Sequence, residues 1–258
     1  MRLVRVARPS GPAFGVLGEG FVRLLDGHPF AGIELTDQVA PLDQVRLLAP
    51  MIPSKVLCVG RNYAAHAAEL GNEVPTEPKV FLKPTTTVIG PGDDIVLPQL
   101  STDVQHEAEL AVVIGRLTRD VDPSEALDHV LGFTCANDVT ARDLVERDGN
   151  WGRGKSFDTF CPLGPWIETD LDSGDGLAVR CRVNGEPRQD GNTSDLLFPV
   201  PEIIAFFAAF TTLLPGDVVL TGTPEGVGPL ADGDEVEVEV EGIGTLANRA
   251  AAEPDWAP

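Results

Sequence analysis

Glu107 and Glu109 lie two residues apart in the stretch HEAELAVVIG, His106 to Gly115, just before a run, Leu110 to Ile114, that holds no polar residue. Side chains two apart on a strand share a face, so these carboxylates would stand side by side. A second acidic stretch serves as a control. In DEVEVEVEGIG, Asp234 to Gly244, glutamates alternate with Val236, Val238 and Val240, the signature of a half-buried antiparallel strand with its acids in water. The first stretch lacks that alternation and reads as a strand covered on both faces. Carboxylates leading into such a place must be paired or must hold a metal.

A third oxygen ligand is available at Asp138 in CANDVTARD, where a strand from Gly132 to Asn137 should give way to a helix. Taken alone, Asp138 could equally cap that helix. Three carboxylates without imidazole or thiolate make a hard site suited to Mg2+ or Mn2+ rather than zinc. His106 invites a non-haem iron triad, but strand alternation turns it away from Glu107 and Glu109.

GRNYAAHAAELG, Gly60 to Gly71, should form a short helix closed by Gly71, with His66 and Glu69 on one face. A carboxylate beside an imidazole orients it and raises its basicity, as a general base near neutral pH requires. By spacing alone, however, such a pair is most often an exposed contact worth a few tenths of a kcal/mol. Lys83 in FLKPTTT, Arg142 in TARD and Lys155 in GRGKSFDTFCP could hold a substrate carboxylate or enolate, although most Lys and Arg are surface residues. The loop LTGTPEGVGP, Leu220 to Pro229, could cradle an anion through its backbone N–H groups and threonine hydroxyls. It is no dinucleotide motif.

These residues need a frame. Residues 1–50 carry short strand-like pieces separated by Pro and Gly turns and read as a small N-terminal β domain. APMIPSK connects it to a main domain, 51–258, that is rich in strands. Three helices carry start or stop signals: Asp122-Pro123 before SEALDHVL, Thr140 as a cap for ARDLVERD, and PEIIAFFAAFTTLL up to Pro215-Gly216. Without regular βαβ alternation, the pattern predicts a mainly antiparallel or mixed β core with helices at its edges.

Composition narrows the partners. The 258 residues carry 40 acidic and 19 basic side chains, a net charge of −21, which argues against nucleic acid and anionic membranes. The four cysteines are widely spaced, with no zinc pattern, and read as buried reduced thiols. No signal peptide and no long apolar run is visible, so a soluble cytoplasmic protein is expected.

In order along the chain, KVLCVGRNYAAHAAELG, FLKPTTTVIGPGDDIVLP, HEAELAVVIG, CANDVTARD, GRGKSFDTFCPLGPWI and VLTGTPEGVG resemble the fumarylacetoacetate hydrolase family from about Pro53 onward. The preceding segment resembles the small N-terminal domain of many bacterial members. The resemblance implies a mixed β-roll core, a homodimer, and a divalent metal, Mg2+ or Mn2+, held by Glu107, Glu109 and Asp138. It implies a catalytic dyad of His66 and Glu69 on a lid helix, with Lys155 assisting at the reacting group. Lys83, Arg142 and the loop of Thr221, Gly222 and Thr223 are implied substrate contacts. The implied substrate is a small 2-oxo or 2-hydroxydienoic dicarboxylate. The nearest activity is that of bacterial 2-hydroxyhepta-2,4-diene-1,7-dioate isomerases of aromatic catabolism, with acylpyruvate hydrolysis or oxaloacetate decarboxylation or tautomerisation as the alternative. A metal-binding protein without catalysis is the rival from another class.

Overall fold

The apolar run after Glu109 is buried along its whole length, as its lack of alternation requires. It lies at the centre of a large sheet in a computed structural model that describes residues 1–254; the last four residues of the 51–258 segment lie outside the described residues.

The first fifty residues form β1 (Arg2–Ala7), β2 (Ala13–Leu17), β3 (Phe21–Leu25), β4 (Leu35–Pro41) and β5 (Arg46–Leu48). Next come β6 (Val56–Gly60), α1 (Ala64–Glu69), β7 (Lys79–Lys83), β8 (Val88–Ile89), β9 (Asp94–Leu97), β10 (Val104–His106) and β11 (Ala108–Ile114). After α2 (Pro123–Ala126) follow β12 (Val130–Asn137), β13 (Thr140–Ala141) and α3 (Arg142–Asp148). β14 (Cys161–Glu168), β15 (Ala178–Val183) and β16 (Glu186–Asn192) lead to α4 (Val200–Phe210). The described chain closes with β17 (Val218–Leu220), β18 (Gly228–Pro229), β19 (Glu235–Val240) and β20 (Gly244–Ala252).

The large sheet runs β4-β3-β2-β1-β14-β12-β11-β17-β6-β7, and a second sheet runs β16-β15-β19-β20-β9. Pairing is mostly antiparallel, with β17–β6, β20–β9 and β14–β8 parallel. The architecture is therefore a mixed, mainly β roll with short helices at its margins. Between the sheets, Leu110, Val112 and Ile114 of β11 join Val179, Val236, Val238 and Phe207 in one core. The opposite face of β11 places Ala111 and Val113 against Val56, Val218, Leu163 and Leu3 in a second core. In β19 the valines are buried and the glutamates are not, so the two acidic stretches divide as their patterns require.

The N-terminal strands continue the large sheet: β1 pairs with β14 through Leu3 and Ile167. Two local expectations are corrected. The last helix stops at Phe210 rather than Leu214, because the β-branched pair Thr211-Thr212 leaves helical geometry and Leu213 bridges to Thr118. Thr140 does not cap α3; its hydroxyl is used elsewhere.

The four cysteines are free and buried. Burial pushes Cys135 and Cys161 up to about 12, so they stay as thiols. The connection at Ser54-Lys55 is tied to the start of β17 by the fully buried Asp217. Asp217 accepts from Ser54 Oγ at 2.6 Å, from Leu214 N at 2.8 Å and from the Lys55 ammonium. Asp217→Ala leaves these donors unpaired and is expected to cost about 2–4 kcal/mol in denaturant unfolding; a loss below about 1 kcal/mol would contradict this role.

Candidate active site

Register explains why three carboxylates meet. Glu109 lies opposite Ala136 across the antiparallel β11–β12 pair, so both point to the face carrying Ala111 and Val113. Asp138 is two residues beyond Ala136 and shares that face; its N–H donates to the Glu107 carbonyl at 2.8 Å. Glu107 occupies the break between β10 and β11, where its N–H donates to Asn137 Oδ1 at 2.9 Å. One oxygen of each of Glu107, Glu109 and Asp138 lies within 4.8 Å of the others, and all three side chains are buried.

Three cations surround them. Lys155 Nζ donates to Glu107 Oε2 at 2.7 Å and to Asp138 Oδ2 at 2.6 Å. Arg142 pairs with Glu107 Oε1, which Thr140 Oγ1 also reaches at 3.0 Å. Lys83, fully buried, donates to Asp138 Oδ1 at 2.5 Å and to the Val139 carbonyl at 3.0 Å. Burial alone would raise Glu107, but Lys155 and Arg142 outweigh it and hold its carboxyl far below the usual range. Lys155 is raised: its own burial acts against this and the negative Asp138 and Glu107 overcome it.

Glu109 differs. Its Oε2 accepts from Gly222 N at 2.6 Å, and no cation pairs with it among the described residues. Burial, then Asp138 and Glu107, push it well above an ordinary carboxyl group. A buried carboxylate beside two others, with an unpaired side, suits a divalent cation bound by oxygen, so the donor set fits Mg2+ or Mn2+. A proton on Glu109 competes with that cation, so affinity is expected to rise with pH. Calorimetry should show weaker binding as pH falls; a flat profile would contradict this.

α1 brings the remaining pair. It ends in a Schellman arrangement: Gly71 N donates to Ala68 O at 3.0 Å and Asn72 N to Ala67 O at 2.8 Å, with Gly71 at φ 66°. His66 Nδ1 lies 3.2 Å from Glu69 Oε2, and Glu69 Oε1 accepts from Gly226 N at 3.0 Å. His66 is buried rather than on an open helix surface, and it borders the same cavity of about 500 Å3 as Glu107, Glu109, Asp138 and Lys155.

Not every expected residue faces that cavity. Arg142 and Thr223 border it; Lys83, Thr221 and Gly222 do not. Lys83 lies beneath Asp138, Thr221 Oγ1 donates to the Leu110 carbonyl at 2.9 Å, and the Gly222 N–H is used on Glu109. His106 turns from the carboxylates to Gln189 Oε1 at 3.1 Å. Gln189 itself had no signal in the sequence, because it lies in a polar hairpin. It is buried, accepts from Ala108 N and donates to Thr223 Oγ1 and to the Pro224 carbonyl, tying the start of β11 to the Gly222–Gly226 loop. Thr140 was legible only as a helix cap.

Residues 55–251 match the family model for the fumarylacetoacetate (FAA) hydrolase C-terminal domain, and residues 1–50 match the model described as Rv2993c-like, N-terminal. The chain belongs to the fumarylacetoacetate hydrolase family. It is 46% identical to a solved 2-hydroxyhepta-2,4-diene-1,7-dioate isomerase from Mycobacterium marinum, with a TM-score of 0.91, covering 99% of this chain and 100% of that one. It is 46% identical over 223 residues to the human mitochondrial oxaloacetate tautomerase FAHD2A, covering 82% of this chain and 71% of the relative. A maleylpyruvate hydrolase from Sphingobium sp. SYK-6, solved with manganese(II) and pyruvate, is 33% identical with a TM-score of 0.82, covering 98% of this chain and 100% of that one. The family and these neighbours support an enzymatic role. No helix among the described residues is long and apolar enough to cross a membrane.

Proposed function

We propose that this chain is a divalent-metal-dependent enzyme acting on 2-oxo or 2-hydroxydienoic dicarboxylic acids through an enolate. Its reaction would be like that of the 2-hydroxyhepta-2,4-diene-1,7-dioate isomerase it resembles, in aromatic catabolism. One observation carries this reading: a buried carboxylate triad and an imidazole hydrogen-bonded to a carboxylate, Glu69, border one cavity through Glu107, Glu109, Asp138 and His66.

Glu107, Glu109 and Asp138 would hold Mg2+ or Mn2+. When bound, the cation would act as a Lewis acid toward the carboxylate and keto oxygens of the substrate and stabilise the enolate by several kcal/mol. Glu69 can only accept, so the His66 proton belongs on Nδ1 and the lone pair of Nε2 is the base. That base takes a proton from the carbon next to the keto group, or from water. Returning the proton elsewhere on a conjugated chain is isomerisation. Lys155, clamped between Glu107 and Asp138, supplies fixed positive charge beside the reacting group.

Charge supports a dicarboxylate substrate. Three carboxylates face the three cations Lys83, Lys155 and Arg142, so a divalent ion leaves two positive charges that a dianion would neutralise. Acylpyruvate hydrolysis and oxaloacetate tautomerisation or decarboxylation form the second reading, supported by the neighbours named hydrolase and tautomerase. Proton NMR of the protein with a hydroxydienoic diacid, an acylpyruvate and oxaloacetate, each with Mg2+ or EDTA, separates the readings. A metal-dependent shift of the diene double bonds supports the isomerase; acyl cleavage alone would replace it with the hydrolase. The proposed assembly is a homodimer, on the family resemblance, and a monomeric mass by light scattering would contradict it.

A further inference from the structure

Three cations border the cavity, and two are committed: Arg142 to Glu107, and Lys155 to Glu107 and Asp138. The third, Arg61, has no carboxylate within ion-pair distance among the described residues, although Glu146 borders the same cavity. Its backbone is held at φ 59°, a left-handed conformation that a non-glycine residue keeps only where its surroundings over-determine it.

Those surroundings are rigid. A Cβ on Gly60 would fall 2.9 Å from the Trp151 ring, so Trp151 packs directly on the backbone beside Arg61. On the other side, the buried Asn62 amide donates to the Thr221 carbonyl at 2.7 Å and to the Phe198 carbonyl at 3.0 Å, and accepts from Phe198 N at 2.9 Å. Between these fixed neighbours the Arg61 guanidinium stands 5.6 Å from the Trp151 ring centroid. Trp151 lies 5.1 Å from Phe81, and Lys155 Nζ stands 5.1 Å from the Phe81 ring. Two adjoining aromatic rings thus connect the cation at the carboxylate cluster with one whose charge is uncommitted.

We propose that Arg61 is a specificity-determining residue that binds the distal carboxylate of the substrate, with the intervening carbon chain lying against Phe81 and Trp151. The guanidinium fork matches a carboxylate in two hydrogen bonds, and a planar conjugated chain suits an aromatic wall. The proposal rests on the functional reading above, which puts the 2-oxo acid end at Glu107, Glu109 and Asp138.

The test is calorimetric binding, with Mg2+ present, of 2-oxoheptanedioate and of 2-oxoheptanoate, which has the same chain without the distal carboxylate. The wild-type protein is expected to prefer the dioate by about tenfold or more. Arg61→Met should remove that preference and Arg61→Lys restore part of it. A preference that survives in Arg61→Met, an equal loss for both ligands, or no preference in the wild-type protein would overturn the assignment. Absence of any Mg2+-dependent binding of 2-oxoheptanoate to the wild-type protein would instead overturn the functional reading, and the Arg61 assignment with it.

Discussion

His66→Ala is expected to lower turnover by about 10²- to 10⁴-fold while leaving Mg2+ affinity within about threefold of wild type. The division follows from geometry: the imidazole borders the cavity and pairs with Glu69, but it is not among the three side chains whose oxygens converge. Glu69→Gln keeps the shape and removes the charge that orients the ring, so it should show a smaller loss in the same direction. Steady-state kinetics with calorimetry on the same preparations checks both. Near-normal turnover in His66→Ala would remove the dyad and favour a protein that only holds its metal.

Glu109→Gln should have the opposite signature, losing Mg2+ affinity by about 100-fold or more, and activity with it. Its stability effect is less obvious. Burial, Asp138 and Glu107 all disfavour the Glu109 carboxylate, so the metal-free variant should melt at or above the metal-free wild type. The sign follows from linkage: a carboxyl group raised in the fold costs stability as pH rises through its folded value, and glutamine removes that cost. Glu107→Gln should behave differently, because it withdraws the partner of both Lys155 and Arg142 and leaves buried positive charge, at about 3–5 kcal/mol. Unchanged calorimetric affinity in Glu109→Gln would remove the carboxylate site.

The contrast between these two glutamates bears on how much the sequence reveals. Their proximity was legible from a spacing of two before an unbroken apolar run, although Glu107 lies at the break between β10 and β11 rather than on a strand face, and the β-rich fold was legible from short strands without βαβ alternation. Asp138 remained open from the residues alone, because helix capping and ligation use the same side chain at the same position. Register brings it to the other two carboxylates, since Asp138 lies beside Glu107 only when β11 and β12 pair as they do. Local spacing could not separate His66 and Glu69 from an exposed surface pair; burial of the ring against a distant carboxylate cluster is a tertiary fact. Family resemblance pointed to them; the structure places the His66 ring at the cavity, with Glu69 hydrogen-bonded to it.

Other residues were hidden for definite reasons. Thr140 reads as a cap, but a buried Glu107 oxygen takes its hydroxyl. Gln189 sits in a hairpin whose composition reads as solvent-exposed, yet its amide is fully hydrogen-bonded in the interior. Lys83 was expected at the substrate, and a lysine beneath the Asp138 carboxylate has the same sequence signature as one beside a substrate.

The central claim is that this cavity generates an enolate of a 2-oxo acid with the help of a divalent cation. The most direct measurement is exchange of the C3 protons of a 2-oxo diacid for deuterium in D2O, followed by proton NMR. Wild-type protein with Mg2+ should exchange them faster than buffer with Mg2+ alone, and EDTA or His66→Ala should return the rate to the background. Exchange that is insensitive to metal and to His66, or absent in the loaded wild-type protein, would contradict the account.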